Sequence, residues 1–150
     1  MSPNLKAILD TIATSEGTIN RGDNGYNVLV GAGLFNSYAD HPRTLVDLPN
    51  LGIKSTAAGR YQILEHNYDV YKAQLNLPDF SPDSQDAIAI QLIKECHAMD
   101  DVETGRFGEV IRKCASRWAS LPGAGYGQHE NKLDKLQAAY LAAGGKLMEA

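Results

Sequence analysis

Few residues in this 150-residue chain combine a reactive side chain with a spacing that would let it work. The four histidines, at 41, 66, 97 and 129, are scattered. None stands four residues from another or in an HExxH frame, so no metal centre is expected. Cys96 and Cys114 form no CxxC pair and read as reduced, half-buried packing residues. No GxSxG turn marks a nucleophile. The run Gly123-Ala124-Gly125-Tyr126-Gly127 has neither a phosphate-binding nor a dinucleotide frame, so no cofactor is expected. Glu16 is different. Leu5, Ile8, Leu9 and Ile12 recur at helical spacing, and residue 16 follows Ile12 at i+4, which continues the apolar face. It also falls at the helix C-terminus, where free carbonyls carry partial negative charge. Burial and dipole both disfavour a carboxylate and raise its pKa. A carboxylic acid still protonated near neutrality is what protonation of a leaving oxygen requires. The pattern alone leaves open the plainer reading, a helix-end glutamate in water.

The elements that must position Glu16 follow from punctuation and period. Ser2-Pro3 has the form of an N-cap with proline at the first helical position, and Gly17 of a C-terminal stop, predicting a helix over 3–15. From Asn20 to Lys54 turn formers bracket a β-prone run, Tyr26 to Val30, which predicts a small irregular β region. Helices are expected over 61–75 and, after Ser81-Pro82-Asp83, over 82–98. Thr104 is expected to cap a helix whose Phe107, Val110, Ile111, Cys114, Ala115 and Trp118 share one face. A glycine-rich loop from Leu121 to Gln128 leads to a last helix carrying Leu133, Leu136 and Tyr140, ended by Gly144-Gly145. Helix, β insertion and further helices give an α+β chain, with one domain expected over 1–150.

Composition narrows the classes of function. A hydrophobic content of 43% and 21% charged residues suit one core without staples. A net charge of −4 with no extended Lys/Arg cluster argues against nucleic acid as a partner. The first twenty residues are amphipathic rather than a signal core, and no stretch nears the roughly 18 apolar residues of a membrane span. Synthesis and retention in the cytoplasm, without stable membrane association, are expected.

Several stretches occur in an order that carries a resemblance. They are Ser15-Glu16-Gly17-Thr18, Gly25-Tyr26 with Val28 and Val30-Gly31, Asp40-His41-Pro42-Arg43, and Ser55-Thr56-Ala57-Ala58-Gly59-Arg60-Tyr61-Gln62. Asp79-Phe80-Ser81-Pro82 with Gln85-Asp86 follows, then Trp118 to Gln128, which reads WASLPGAGYGQ. Over nearly the whole chain they resemble the bacteriophage lambda endolysin family, a branch of the lysozyme-like superfamily of lytic transglycosylases.

The resemblance implies a lysozyme-like fold, with a helical lobe, a small β lobe and a cleft between them. It implies cleavage of the β-1,4 bond between N-acetylmuramic acid and N-acetylglucosamine in peptidoglycan glycan strands. Glu16 matches the catalytic acid. By that resemblance it would protonate the leaving oxygen and then accept the proton of the muramoyl C6 hydroxyl as that oxygen closes on C1, giving a 1,6-anhydro sugar. Ordinary glycosidases need a second carboxylate, whereas an internal hydroxyl supplies the nucleophile by proximity. Tyr26, Asn27, Ser55, Gly59, Tyr61, Gln62, Tyr126 and Gln128 are the implied substrate-binding positions. Gly59 would allow close backbone approach to the sugar. Asn27 stands where the family often has Asp, and is expected at most to hydrogen-bond sugar. Arg60 and Tyr61 read equally well as lobe packing. Asp40, His41 and Arg43 are expected to hold the β lobe together, and Trp118 to lie in the core.

Two other readings stay open at this point. One is a hydrolysing lysozyme of the same fold, with Asp23, Asp40 or Asp47 assisting water. The other is an inactive peptidoglycan-binding relative. The family further implies a monomer that accumulates in the cytoplasm of a host bacterium. It would act in the periplasm after a holin opens the inner membrane.

Overall fold

A computed structural model describes residues 1–123 and 131–148. In chain order the elements are α1 (Pro3–Glu16), a 3-10 turn (Val30–Ala32), β1 (Val46–Leu48), β2 (Ile53–Ser55) and α2 (Glu65–Leu75). Then follow α3 (Pro82–Glu95), α4 (Met99–Thr104), α5 (Phe107–Cys114) and α6 (Leu133–Ala142). The chain forms two compact units: Met1–Gly17 with Ile90–Ala150, and Thr18–Ala89.

The first unit is helical. Ser2 Oγ accepts the Leu5 N–H at 3.2 Å and Pro3 opens α1, as its residue types lead one to expect. Gly17 ends the helix with φ 76°, in the left-handed region that glycine enters without steric cost. Leu5, Ile8, Leu9 and Ile12 are buried on one face, and α1 packs against α6 and α4. The side chains expected to share one helical face, from Phe107 to Trp118, are all buried, although α5 ends at Cys114 and Ala115 and Trp118 lie beyond it; the Phe107 ring lies 4.8 Å from that of Tyr140. Each large side chain so buried contributes about 1.5–3 kcal/mol, so this face holds the unit together.

Three details differ from the expectations. Thr104 does not cap α5. It is the last residue of α4, and its hydroxyl donates back to Asp100 O at 2.8 Å. Gly105, at φ 81°, ends α4, and Arg106 takes the position before α5. A six-residue helix has too few turns to show a period. Its support is tertiary: Asp101 pairs with Arg106 Nε and Lys113 Nζ, each at 2.6 Å. The helix expected to reach 98 stops at Glu95, because His97 turns left-handed at φ 56°. Leu133, expected on the apolar face of the last helix, is 41% exposed, whereas Leu136 and Tyr140 are buried. Cys114 is buried and Cys96 half-buried, both as thiols.

The second unit carries the sheet. β1 and β2 pair antiparallel in the register Val46↔Ser55, Asp47↔Lys54, Leu48↔Ile53. The β-prone run Tyr26 to Val30 is not a strand. It makes single bridges, Val28↔Leu34 and Leu29↔Ala58, and then enters the 3-10 turn at Gly31, φ 81°. The helix expected from 61 starts at Glu65. Ala58 and Ile63 pair across a reverse turn in which Gln62 has φ 53°, and Thr56 Oγ1 then accepts the Glu65 N–H at 3.0 Å. Phe80, Tyr68 and His41 form an aromatic core, with ring centroids 4.9–5.7 Å apart.

Asp40, His41 and Arg43 hold this unit together. His41 Nδ1 accepts the Arg43 N–H at 3.0 Å, which leaves Nε2 to donate to Ile63 O at 2.8 Å. That pairing fixes a neutral imidazole, in keeping with burial lowering its pKa. Arg43 bridges Asp40, Glu65 and Asp69. Trp118, 3% exposed, is core in the first unit.

Candidate active site

Glu16 is the final residue of α1 and is half-buried. Burial raises its pKa from 4.5 to about 7, and a hydrogen bond with the Ser120 side chain pulls partly the other way. The side chain can therefore release a proton to an oxygen near neutral pH and hold the negative charge that remains. The residues that support it are uncharged. Ser15 Oγ and Ser120 Oγ are 2.7 Å apart. Asn131 Nδ2 donates to Ser15 O at 2.9 Å and to Ser15 Oγ at 3.2 Å, while its backbone N–H donates to Ser120 O at 2.8 Å. The end of α1, the turn after Trp118 and the residue leading into α6 thus meet beside Glu16, with Ser120 bonded to its carboxyl group and Asn131 bonded to Ser15 and Ser120.

Residue type and spacing single out Glu16 in the sequence, but not Ser120 or Asn131. Ser120 lay inside the WASLPGAGYGQ stretch, so a signal existed. Asn131 had none, because only the packing of α6 on α1 brings it to Ser15.

Of the implied substrate-binding positions in the second unit, Tyr26 and Tyr61 meet in one polar cluster, while Asn27, Ser55 and Gln62 bond within their own turns. Asp86 Oδ1 accepts from the hydroxyls of Tyr26, at 2.9 Å, and Tyr61, at 2.6 Å. The Arg60 guanidinium lies 5.4 Å and 5.6 Å from the two ring centroids and donates to Tyr61 Oη at 3.2 Å. Burial and the Asp86 charge push both phenols upward, so they stay neutral hydrogen donors. Tyr61 is 1% exposed, so its side chain packs and orients its neighbours, whereas Tyr26 is half-buried. Asn27 Oδ1 accepts the Asp23 N–H at 2.8 Å, closing the loop on itself. Ser55 Oγ accepts the Ala57 N–H at 3.1 Å, and Gln62 Nε2 donates to Gly59 O at 2.9 Å. Gly59 has φ 82°, and the space beside it is taken by Gln85 and Phe80. Tyr126 and Gln128 lie outside the described residues. Among the described residues no group of three His, Cys, Asp or Glu could hold a metal ion.

Known proteins resemble this chain over nearly its whole length. The family model described as Endolysin matches residues 6–147. The endolysin of Escherichia phage lambda is 52% identical, covering 96% of this chain and 93% of its own. That of Escherichia phage P2 is 47% identical, covering 95% and 93%. Among solved structures, bacteriophage lambda lysozyme complexed with a chitohexasaccharide superposes with a TM-score of 0.95 at 50% identity, over 98% of this chain and 97% of that one. A second structure of the lambda lysozyme gives a TM-score of 0.90 at the same identity and coverage. The fold is α+β and lysozyme-like, and the chain belongs to the endolysin family.

Proposed function

We propose that this endolysin is a lytic transglycosylase, cutting peptidoglycan between N-acetylmuramic acid and N-acetylglucosamine with Glu16 as acid and then base. At the coarser level its relatives place it among peptidoglycan-degrading enzymes of the lysozyme kind. The observation that carries the finer reading is the Glu16 carboxyl, held near pKa 7 by burial and bonded to Ser120, which among the described residues is itself held by the uncharged Ser15 and Asn131. In the first half of the cycle the protonated acid gives its hydrogen to the glycosidic oxygen, the C1–O bond breaks, and N-acetylglucosamine leaves with a free 4-hydroxyl. In the second half the muramoyl C6 oxygen bonds to C1, and its proton returns to the Glu16 carboxylate. Atoms and charge balance with no water consumed, and one carboxyl group serves both halves. The lambda lysozyme complexed with a chitohexasaccharide supports a glycan strand as ligand.

Mass spectrometry of glycan fragments released from peptidoglycan tests this reading. Muramoyl ends in the 1,6-anhydro form are expected. Ends one water heavier would establish hydrolysis in its place, and no cleavage by the wild type would make the chain a binding relative. We further propose that it works as a monomer, is held in the cytoplasm of a bacterial host, and reaches the periplasm when a holin opens the inner membrane.

A further inference from the structure

We propose that Ser120 is a positioning residue for Glu16, held in a single hydrogen-bonding orientation by Ser15 and Asn131. This rests on the reading of Glu16 as the acid–base group. The polarity of the chain can be worked out from donors and acceptors alone. A backbone carbonyl only accepts, so the Asn131 side-chain atom 2.9 Å from Ser15 O must be the amide nitrogen. The same nitrogen lies 3.2 Å from Ser15 Oγ, which therefore also accepts there. Ser15 Oγ can then pass its own hydrogen across the 2.7 Å contact to Ser120 Oγ. The Ser120 hydrogen is left for the Glu16 carboxylate. All the bonds run one way, from amide to carboxylate, and bonds aligned head to tail polarise one another.

The far end is fixed as well. The Asn131 N–H on Ser120 O, at 2.8 Å, joins the two ends of the segment between them. One residue therefore fixes both serines, Ser15 through its side chain and Ser120 through its backbone. Among the described residues no charged side chain acts on the ionisation of Glu16, only burial and this hydroxyl. The donated bond favours the carboxylate over the acid. Ser120 thus serves the second half of the cycle, in which Glu16 must carry charge, and it limits how far burial can push the acid.

The test compares Ser120→Ala, Ser120→Thr and Asn131→Leu with the wild type. The readouts are direct titration of the Glu16 carboxyl by 13C NMR and the pH dependence of kcat and KM on soluble glycan strands. Ser120→Ala should move the Glu16 titration upward by roughly half to one pH unit and lower kcat about tenfold, with KM within about twofold. Ser120→Thr keeps the hydroxyl and should restore both to near the wild type. Asn131→Leu removes the amide donor without adding charge and should move the titration in the same direction as Ser120→Ala. If Ser120→Ala does not fold, Asn131→Leu carries the same readout. A Glu16 titration unchanged in Ser120→Ala and Asn131→Leu, with only thermal stability reduced, would overturn the proposal. Because the titration is read without substrate, its outcome is separable from whether the product is anhydro or hydrolysed.

Discussion

Gln85 stands where a side chain on residue 59 would have to go. Its Oε1 accepts the Arg60 N–H at 2.9 Å, and its Nε2 donates to Tyr26 O at 3.0 Å and Phe80 O at 2.9 Å. A Cβ built on Gly59 would overlap the Gln85 carboxamide and crowd the Phe80 ring. One fully buried amide therefore ties the segment holding Tyr26, the turn at Arg60 and the start of α3 into one polar node. The glycine is required by this packing within the protein.

Gly59→Ala should accordingly be costly. It combines strain at φ 82° with displacement of an amide that satisfies three backbone groups. Together these suggest a loss of roughly 2–4 kcal/mol. For a domain of this size that is a fall in Tm of about 5–10 °C by calorimetry. A variant melting within a degree or two of the wild type would show that Gln85 yields without loss.

The two tyrosines on Asp86 should respond unequally. Tyr61 is buried and also receives a hydrogen bond from Arg60, so Tyr61→Phe breaks two hydrogen bonds at once, one to the guanidinium and one to the carboxylate. Tyr26 is half-buried, and water can replace its hydroxyl at Asp86. Urea denaturation should show about 1.5–3 kcal/mol lost for Tyr61→Phe and under about 1 kcal/mol for Tyr26→Phe. The reverse order would mean that the Tyr26 bond, not the Tyr61 bond, anchors the cluster.

What was legible in the sequence follows from which forces are local. The cap at Ser2, the stop at Gly17 and the stripe from Phe107 to Trp118 depend on neighbours within two or three turns, and they occur as the residue types dictate. The β segment misled because Val28 and Leu29 have high strand propensity while their bridge partners, Leu34 and Ala58, extend for only one residue each. The start of α2 moved because residues 61–63 serve a turn closed by the Ala58–Ile63 pair, which no helical period reveals. At the site, helical phase could place Glu16 on the buried face. Asn131 is 116 positions from Ser15 and reaches it only through the packing of helices.

Asn27 is tied into its own loop. Its Oδ1 accepts the Asp23 N–H at 2.8 Å, a bond a carboxylate oxygen could make equally well. Asn27→Asp should therefore keep the loop and change glycan cleavage by less than about threefold, since in the proposed cycle Glu16 alone carries the proton steps. Asn27→Leu, which removes the acceptor, should lower stability by about 1 kcal/mol. Cleavage that appeared only after Asn27→Asp would require a second carboxylate and end the single-acid mechanism.

Glu16 should leave two linked signatures in pH. Its carboxyl titrates near 7 in the folded protein against 4.5 for an ordinary glutamate, so between those values the native state holds a proton that the unfolded chain has lost. Stability contributed by the neutral acid is complete below about pH 4.5 and is lost as pH rises through 7. A shift of that size corresponds to at most about 3 kcal/mol, and the half-buried side chain keeps some water, which reduces it. Glu16→Gln is neutral at every pH. Its Tm should match the wild type near pH 4 and exceed it by a few degrees at pH 8–9, while glycan cleavage is abolished. In the wild type, kcat/KM should fall above pH 7 with a slope of one proton, because only the protonated acid starts the reaction. A Tm difference between the two proteins that stays flat from pH 4 to 9 would place the Glu16 carboxyl in water and remove it as the acid.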